Sequence, residues 1–359
     1  RMRTQLRRAA SVALFGALLV GVSSCNIDEL LEVQDPDIVL PANLNTPTGL
    51  ATLRSGAVGD FVTAYTGGAG VNDGVVIMTG MFTDEYYHSG TFTTRREFDR
   101  RDVEDDNGTA TGVFQRLQRA RQSLETAASA IQDAAAGPDE RVGELLGLAA
   151  VTYNLFGEAY CSGVPFSNLD EGGNLVPGQP NTTEEVFQLA ATTADAAAAA
   201  ANGVSTYTYL AALQKGRALL NLGQYSQAAG AVASVPTDYV FQTTHSIDNG
   251  QENGIYAFNA VFERWSLANL EGTNGLAYRD LNDPRVPWTD AGHNGFDEVT
   301  PLYIVEKYPG REAPADVATG TEARLIEAEA ALASGDAATM LSKINEVRAM
   351  YGLAAVSYT

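Results

Sequence analysis

Trp265 and Trp288, the two tryptophans of the chain, fall in one stretch with Tyr256, Phe258, Phe262 and Tyr278. Asn259, Arg264, Asn269, Asn274, Asp280 and Arg285 are interleaved among them. Aromatic faces stack on the apolar faces of sugar rings, while amides, carboxylates and guanidinium groups supply paired hydrogen bonds to vicinal hydroxyls. The mixture predicts a ligand-binding surface with Trp265, Trp288, Tyr256, Tyr278, Arg264 and Asn269 as its candidate residues. A second group of similar chemistry, Asp84-Glu85-Tyr86-Tyr87-His88 followed by Arg95 and Arg96, adds Tyr86, Tyr87 and Arg95. The competing reading is packing of the segment onto a core, and for any single aromatic it is the commoner role. It is strongest for Trp288, which stands beside Pro287 and follows Asp283-Pro284-Arg285.

Catalytic chemistry shows no such concentration. His88, His245 and His293 lie far apart, and none has the spacing of a metal pair such as HExxH. A nucleophile elbow, a phosphate loop and a G-x-G-x-x-G turn are all missing from the sequence. The acid run Asp102–Gly108 places its glycine one position late for a calcium loop and lacks the closing bidentate acid. Asp290–Gly295 fails in the same way, since Pro301 occupies its closing position. Both read as solvated acidic turns, so no motif supports a calcium site, a metal or a cofactor. The 44 acids offer many carboxylate pairs for glycoside hydrolysis, and nothing singles one out. No catalytic residue and no enzymatic activity are expected.

Cys25 has the most specific covalent chemistry. Residues 1–8 carry Arg1, Arg3, Arg7 and Arg8 without an acid, and an apolar run from Ala9 to Val22 follows. That run is too short to span a bilayer as a mature helix. It ends in Val22-Ser23-Ser24-Cys25, which is similar to a lipoprotein lipobox. The reading is a signal peptide over 1–24, a diacylglycerol-modified Cys25 and a Pro-studded extended tether over 25–47. Each buried acyl methylene contributes about 0.8 kcal/mol to anchoring. Asp28 and Glu29 resemble a surface-export signal. Cys161 is left without a partner and is expected to be a small buried filler.

The composition sets the frame for these residues. With 359 residues and 45% apolar content the chain can bury a sizeable core, which excludes wholesale disorder. Acids outnumber bases 44 to 23, for a net charge of −21. A nucleic-acid partner needs a basic footprint, so that class is excluded.

The positioning elements read as mostly helix. A helix is expected from Leu50 to Thr66, and mixed structure continues to about Gly112. In 113–136, Leu117, Ala120, Leu124, Ala127 and Ile131 form one apolar stripe at helical spacing. Gly137-Pro138-Asp139 stops that helix and caps the next, over about 140–160, with Leu145, Leu148, Thr152, Leu155 and Ala159 on one face. A loop spans 162–181, and Thr182 to Glu185 is a capping start for a helix over 186–201. Small residues, a Leu222-Gly223-x-Tyr225 turn and closing Pro236 make 209–236 similar to a tetratricopeptide helix pair. The pair 322–333 and 337–350 echoes it, with Ala328, Ala331 and Leu332 facing Leu341, Ile344 and Val347. Helical repeats thus occupy about 113–236 and 321–350. Between them, about 237–319 follows neither period, as expected of an insertion that carries a binding surface.

Three stretches resemble the SusD/RagB family of outer-membrane nutrient-binding lipoproteins. Thr152-Tyr153-Asn154-Leu155-Phe156-Gly157 leads to Gly163-Val164-Pro165, and Asn282-Asp283-Pro284-Arg285 holds an Asp-Pro-Arg. Arg324-Leu325-Ile326-Glu327-Ala328-Glu329-Ala330 precedes Ile344-Asn345-Glu346-Val347-Arg348 and Gly352-Leu353. The last set is the most specific, because its parts occur in the family's order. The resemblance implies an all-α, tetratricopeptide-like scaffold over 48–359 with a loop-rich binding insertion. It further implies a cell-surface, non-enzymatic protein that captures oligosaccharides or peptides and passes them to a SusC-type TonB-dependent channel. Family members continue beyond the Asn-x-Val-Arg helix, so the chain is expected to be incomplete at its C-terminus. The runner-up is a lipid-anchored tetratricopeptide scaffold for envelope protein assembly, which would stack regular helix pairs without so long an insertion.

Overall fold

The computed structural model describes residues 46–68, 72–170, 174–248, 250–272 and 275–357. The expected signal peptide, Cys25 and nearly all of the tether lie outside the described residues, as does Asn274.

The described residues are mostly helical, as the periodicity predicts. The helices are α1 (Pro47–Thr66), α2 (Val75–Phe82), α3 (Thr93–Arg100), α4 (Gly108–Ala134) and α5 (Glu140–Ala159). They continue as α6 (Thr183–Ala200), α7 (Ser205–Asn221), α8 (Tyr225–Val232), α9 (Gly320–Ala333) and α10 (Ala337–Met350). Side-chain caps set several starts: Asn107 accepts from Ala110 N, and Asp139 accepts from Arg141 N. Thr182 and Glu185 form the reciprocal capping box that their spacing predicts. Among the described residues no helix is long and apolar enough to cross a membrane.

The α4 stripe is as expected, with Leu117, Ala120, Leu124, Ala127 and Ile131 all fully buried. Helix α5 is not the one-faced helix its sequence suggests. It is buried nearly all round from Val142 to Gly157, while Ala159 is exposed. The cause is its central place between α4, α6 and α7. Glycine permits that crowding, since a Cβ on Gly143 would lie 2.6 Å from the Ala201 Cα. In the last pair, Ala328 and Ala331 pack against Met340, Leu341 and Ile344 as expected, but Leu332 is turned to solvent. Cys161 is also exposed rather than buried, because it lies in the turn beyond the end of α5.

The segment 237–319 is more ordered than its lack of period suggests. Its strands are short and antiparallel: β2 (Val240–Gln242) pairs with β6 (Asp316–Thr319), and β4 (Trp288–Asn294) pairs with β5 (Pro301–Val305) around a bulge. A helical turn at Gly254–Tyr256 runs into a π turn over Ala257–Val261. Strand β3 (Trp265–Leu267) finds its partner far away in sequence, in β1 (Tyr86–His88). That pairing joins the two aromatic groups of the sequence into one region. The helical layer holds this region from behind, with the Tyr65 hydroxyl of α1 donating to Asp316 O at 2.8 Å.

Candidate functional site

The register of β1 and β3 sorts the candidate residues. Tyr86 opposes Leu267, Tyr87 opposes Ser266, and His88 opposes Trp265. Side chains alternate across a sheet, so Tyr86, His88, Trp265 and Leu267 share the core face while Tyr87 and Ser266 share the other. Trp265 is 1% exposed and stacks on Tyr86 with ring centroids 4.0 Å apart. Neither ring has a face left for a ligand; contrary to the sequence expectation, both are packing residues. Arg95 is corrected in the same way. Its guanidinium is buried, with Nε and Nη2 on the Asp73 carboxylate at 2.7 and 3.2 Å and with Phe92 and Phe258 beside it.

The opposite face of the ladder is roofed by β5. The hydroxyls of Tyr87 and Ser266 donate to Pro301 O at 3.0 and 2.9 Å, and Ser266 Oγ accepts from Tyr303 N at 2.8 Å. Tyr303 carries a half-buried stack. The Arg279 guanidinium lies 3.6 Å from its ring centre, and Trp288 meets it edge-on at 5.6 Å. Asn269 is a turn former, accepting from the backbone N–H of Arg279 and Asp280. Tyr256 and Tyr278 are half-buried against the core. Burial, then the Glu85 and Asp84 charges, raise the Tyr278 hydroxyl pKa.

A more open arrangement lies where three segments are tied together. Ser89 N donates to Arg264 O at 3.0 Å, Phe296 N to Glu263 O at 3.0 Å, and Asp297 N to Ser89 O at 2.9 Å. The Asp297 carboxylate also accepts from the backbone of Val299 and Thr300 and from the Thr300 hydroxyl. On this base stand Phe92 and Phe296, 53% and 49% exposed, with the Arg264 guanidinium against them. Its central carbon is 3.4 Å from the Phe296 ring centre and 5.5 Å from that of Phe92. The buried Nη1 of Arg264 has no hydrogen-bond partner. The sequence pointed to Arg264 but missed Phe92, Phe296, Arg279 and Tyr303. Their signal was an aromatic or arginine set beside a turn, as in Gly90-Thr91-Phe92 and Gly295-Phe296-Asp297.

Two titratable groups here depart from their usual ranges. Burial, followed by the Arg96 and Arg95 charges, lowers the His88 ring to about 4, and neither ring nitrogen has a partner. Burial, then the Asp99 and Asp84 carboxylates, pushes Glu271 up to about 7. The arrangement as a whole offers stacking faces and hydrogen-bond donors.

The described chain is thus a tetratricopeptide-like helical scaffold that presents a loop-built aromatic face. No protein-family profile and no curated protein matches the sequence. Solved structures do match. One is a SusD-like carbohydrate-binding protein from Bacteroides vulgatus, 14% identical with a TM-score of 0.61, covering 87% of this chain and 76% of that one. A SusD/RagB family protein from Bacteroides thetaiotaomicron is 16% identical, with a TM-score of 0.60 and coverage of 81% and 70%. A SusD superfamily protein from Parabacteroides distasonis is 12% identical, with a TM-score of 0.62 and coverage of 89% and 83%. The chain has the SusD-like fold that its motifs imply.

Proposed function

We propose that this chain is a non-catalytic capture protein that binds nutrient oligosaccharides, or peptides, at its loop-built face. In this reading Cys25 carries the lipid that anchors it to the outer membrane, exposed at the cell surface, where it hands ligand to a SusC-type TonB-dependent channel. The observation that carries the reading is the pair of half-exposed rings, Phe92 and Phe296, held against an unpaired arginine on a SusD-like fold. Half-exposed rings fixed by backbone ties are ready to stack on a sugar face at little ordering cost. The carbohydrate-binding protein of Bacteroides vulgatus shares this fold, which favours a glycan as ligand.

Isothermal titration against neutral and acidic oligosaccharides and peptides, with product analysis, tests the capture step. The expected result is saturable binding without turnover, weakened about 2- to 12-fold by Phe296→Ala, as the loss of one aromatic contact predicts. Product formation, or glycan affinity untouched by Phe92→Ala and Phe296→Ala together, would overturn the assignment. Labelling of cells with a fatty-acid probe, lost on Cys25→Ser, tests the anchor.

A further inference from the structure

We infer that the Phe92–Arg264–Phe296 face selects an acidic sugar, one whose carboxylate seats on the Arg264 guanidinium while the two rings stack on the sugar face. The inference rests on the glycan reading of this face and adds the chemical class of its ligand.

The arginines of this chain divide by whether a carboxylate meets them. Acids outnumber bases 44 to 23, and nine of the sixteen described arginines are paired with carboxylates, among them Arg54 with Glu144, Arg95 with Asp73, Arg101 with Asp84 and Arg217 with Glu158. Arg264 has no such partner among the described residues. It lies flat against Phe296, and its buried Nη1 is unbonded. With Nη1 buried, the edge left for a ligand is Nε–Nη2, and that edge matches a planar carboxylate in a paired, two-bond geometry.

The surroundings favour an anion. Arg95 is neutralised by Asp73, but Arg96 gives only Nη2 to Gly90 O, at 3.3 Å. Of the nearby acids, Asp297 is occupied by its loop bonds, and Glu263 lies 3.7 Å from His293 Nε2. Arg264 and Arg96 thus stand beside the rings without an ion-pair partner among the described residues, in a protein whose net charge is −21. Gly90 lets the Arg264 stem and the His88 ring pack close to the main chain. A Cβ there would lie 3.1 Å from both Arg264 Cδ and His88 Nε2.

The test is titration of the full chain, in EDTA, with galacturonate and glucuronate tetramers, their methyl esters and the matching neutral tetramers. The acids should bind about tenfold or more tighter than their esters, the range of a charged hydrogen-bonded contact. Arg264→Gln should bring the acids down to the level of the esters and leave the esters within about twofold. Arg264→Lys keeps the charge and removes the planar fork, so it should weaken the acids alone, by several-fold. Circular dichroism checks that each variant folds. Neutral, esterified and acidic tetramers bound alike, or an acid preference that survives both variants, would overturn the inference and leave the capture reading standing. A folded chain that binds no glycan of either kind would overturn the capture reading itself, and this inference with it.

Discussion

Replacing Trp265 by alanine distinguishes the two roles that its sequence context allowed. The indole is 1% exposed and stacked on Tyr86 at 4.0 Å within the β1–β3 ladder. Removing a buried Trp side chain costs roughly 3–5 kcal/mol in lost transfer energy and residual cavity. The ring's Nε1 has no partner, and an unsatisfied buried N–H opposes folding by about 1–3 kcal/mol. Truncation removes that penalty along with the ring, so the net loss should fall near ~2 kcal/mol, the difference between the middles of the two ranges. Urea unfolding followed by circular dichroism should show a lowered midpoint at unchanged slope. Glycan affinity, measured below the transition, should stay close to that of the parent. A variant within ~1 kcal/mol of the parent in stability that had lost glycan binding would refute the packing assignment.

Other perturbations report on neighbouring parts of the same region. Arg95→Ala leaves Asp73 buried without its partner and should cost about 3–5 kcal/mol, while Arg95→Met with Asp73→Asn should recover much of it in the same urea assay. Glu271 has a folded-state pKa of about 7 against an ordinary 4.5, so the native state holds its proton more tightly than the unfolded one. Its contribution is complete below about pH 4.5 and is lost as pH rises through about 7; Glu271→Gln should flatten the thermal stability profile over that window and raise Tm at pH 8. His88 runs the other way, since its folded pKa is about 4 against 6.5. Its contribution is present above about pH 6.5 and is lost as pH falls through about 4, so His88→Gln should soften acid unfolding. Gly143→Ala would press a methyl group against the Ala201 backbone and should cost about 1–3 kcal/mol, read as a drop in Tm.

The helical half of the molecule was legible because its signals are local. The α4 stripe, the Asp139 cap and the Thr182–Glu185 box each need only neighbours three or four residues away. The enclosure of α5 was not legible, since it depends on three helices meeting around one. The aromatic face was legible in composition and not in geometry. A buried Trp265 and an exposed Phe296 look alike in a sequence, and what separates them is the pairing of β3 with a strand from before α3. The same pairing brought together the residues around Tyr87 and those around Trp288, which the sequence had offered as separate groups. Arg264 was found by its chemistry, whereas Arg95, of the same chemistry, was bound to Asp73 through a tertiary contact.

The ties under the Phe92–Arg264–Phe296 face run from main chain to main chain, through Ser89, Glu263, Arg264, Phe296 and Asp297. None of them depends on which side chain stands at positions 92, 264 or 296, provided the residue keeps its N–H. The platform and what stands on it are therefore separable inheritances: selection can rewrite the ligand vocabulary of this face while the framework beneath keeps its grammar. A library randomised at those three positions should return folded proteins in high proportion, each presenting a different surface on the same backbone.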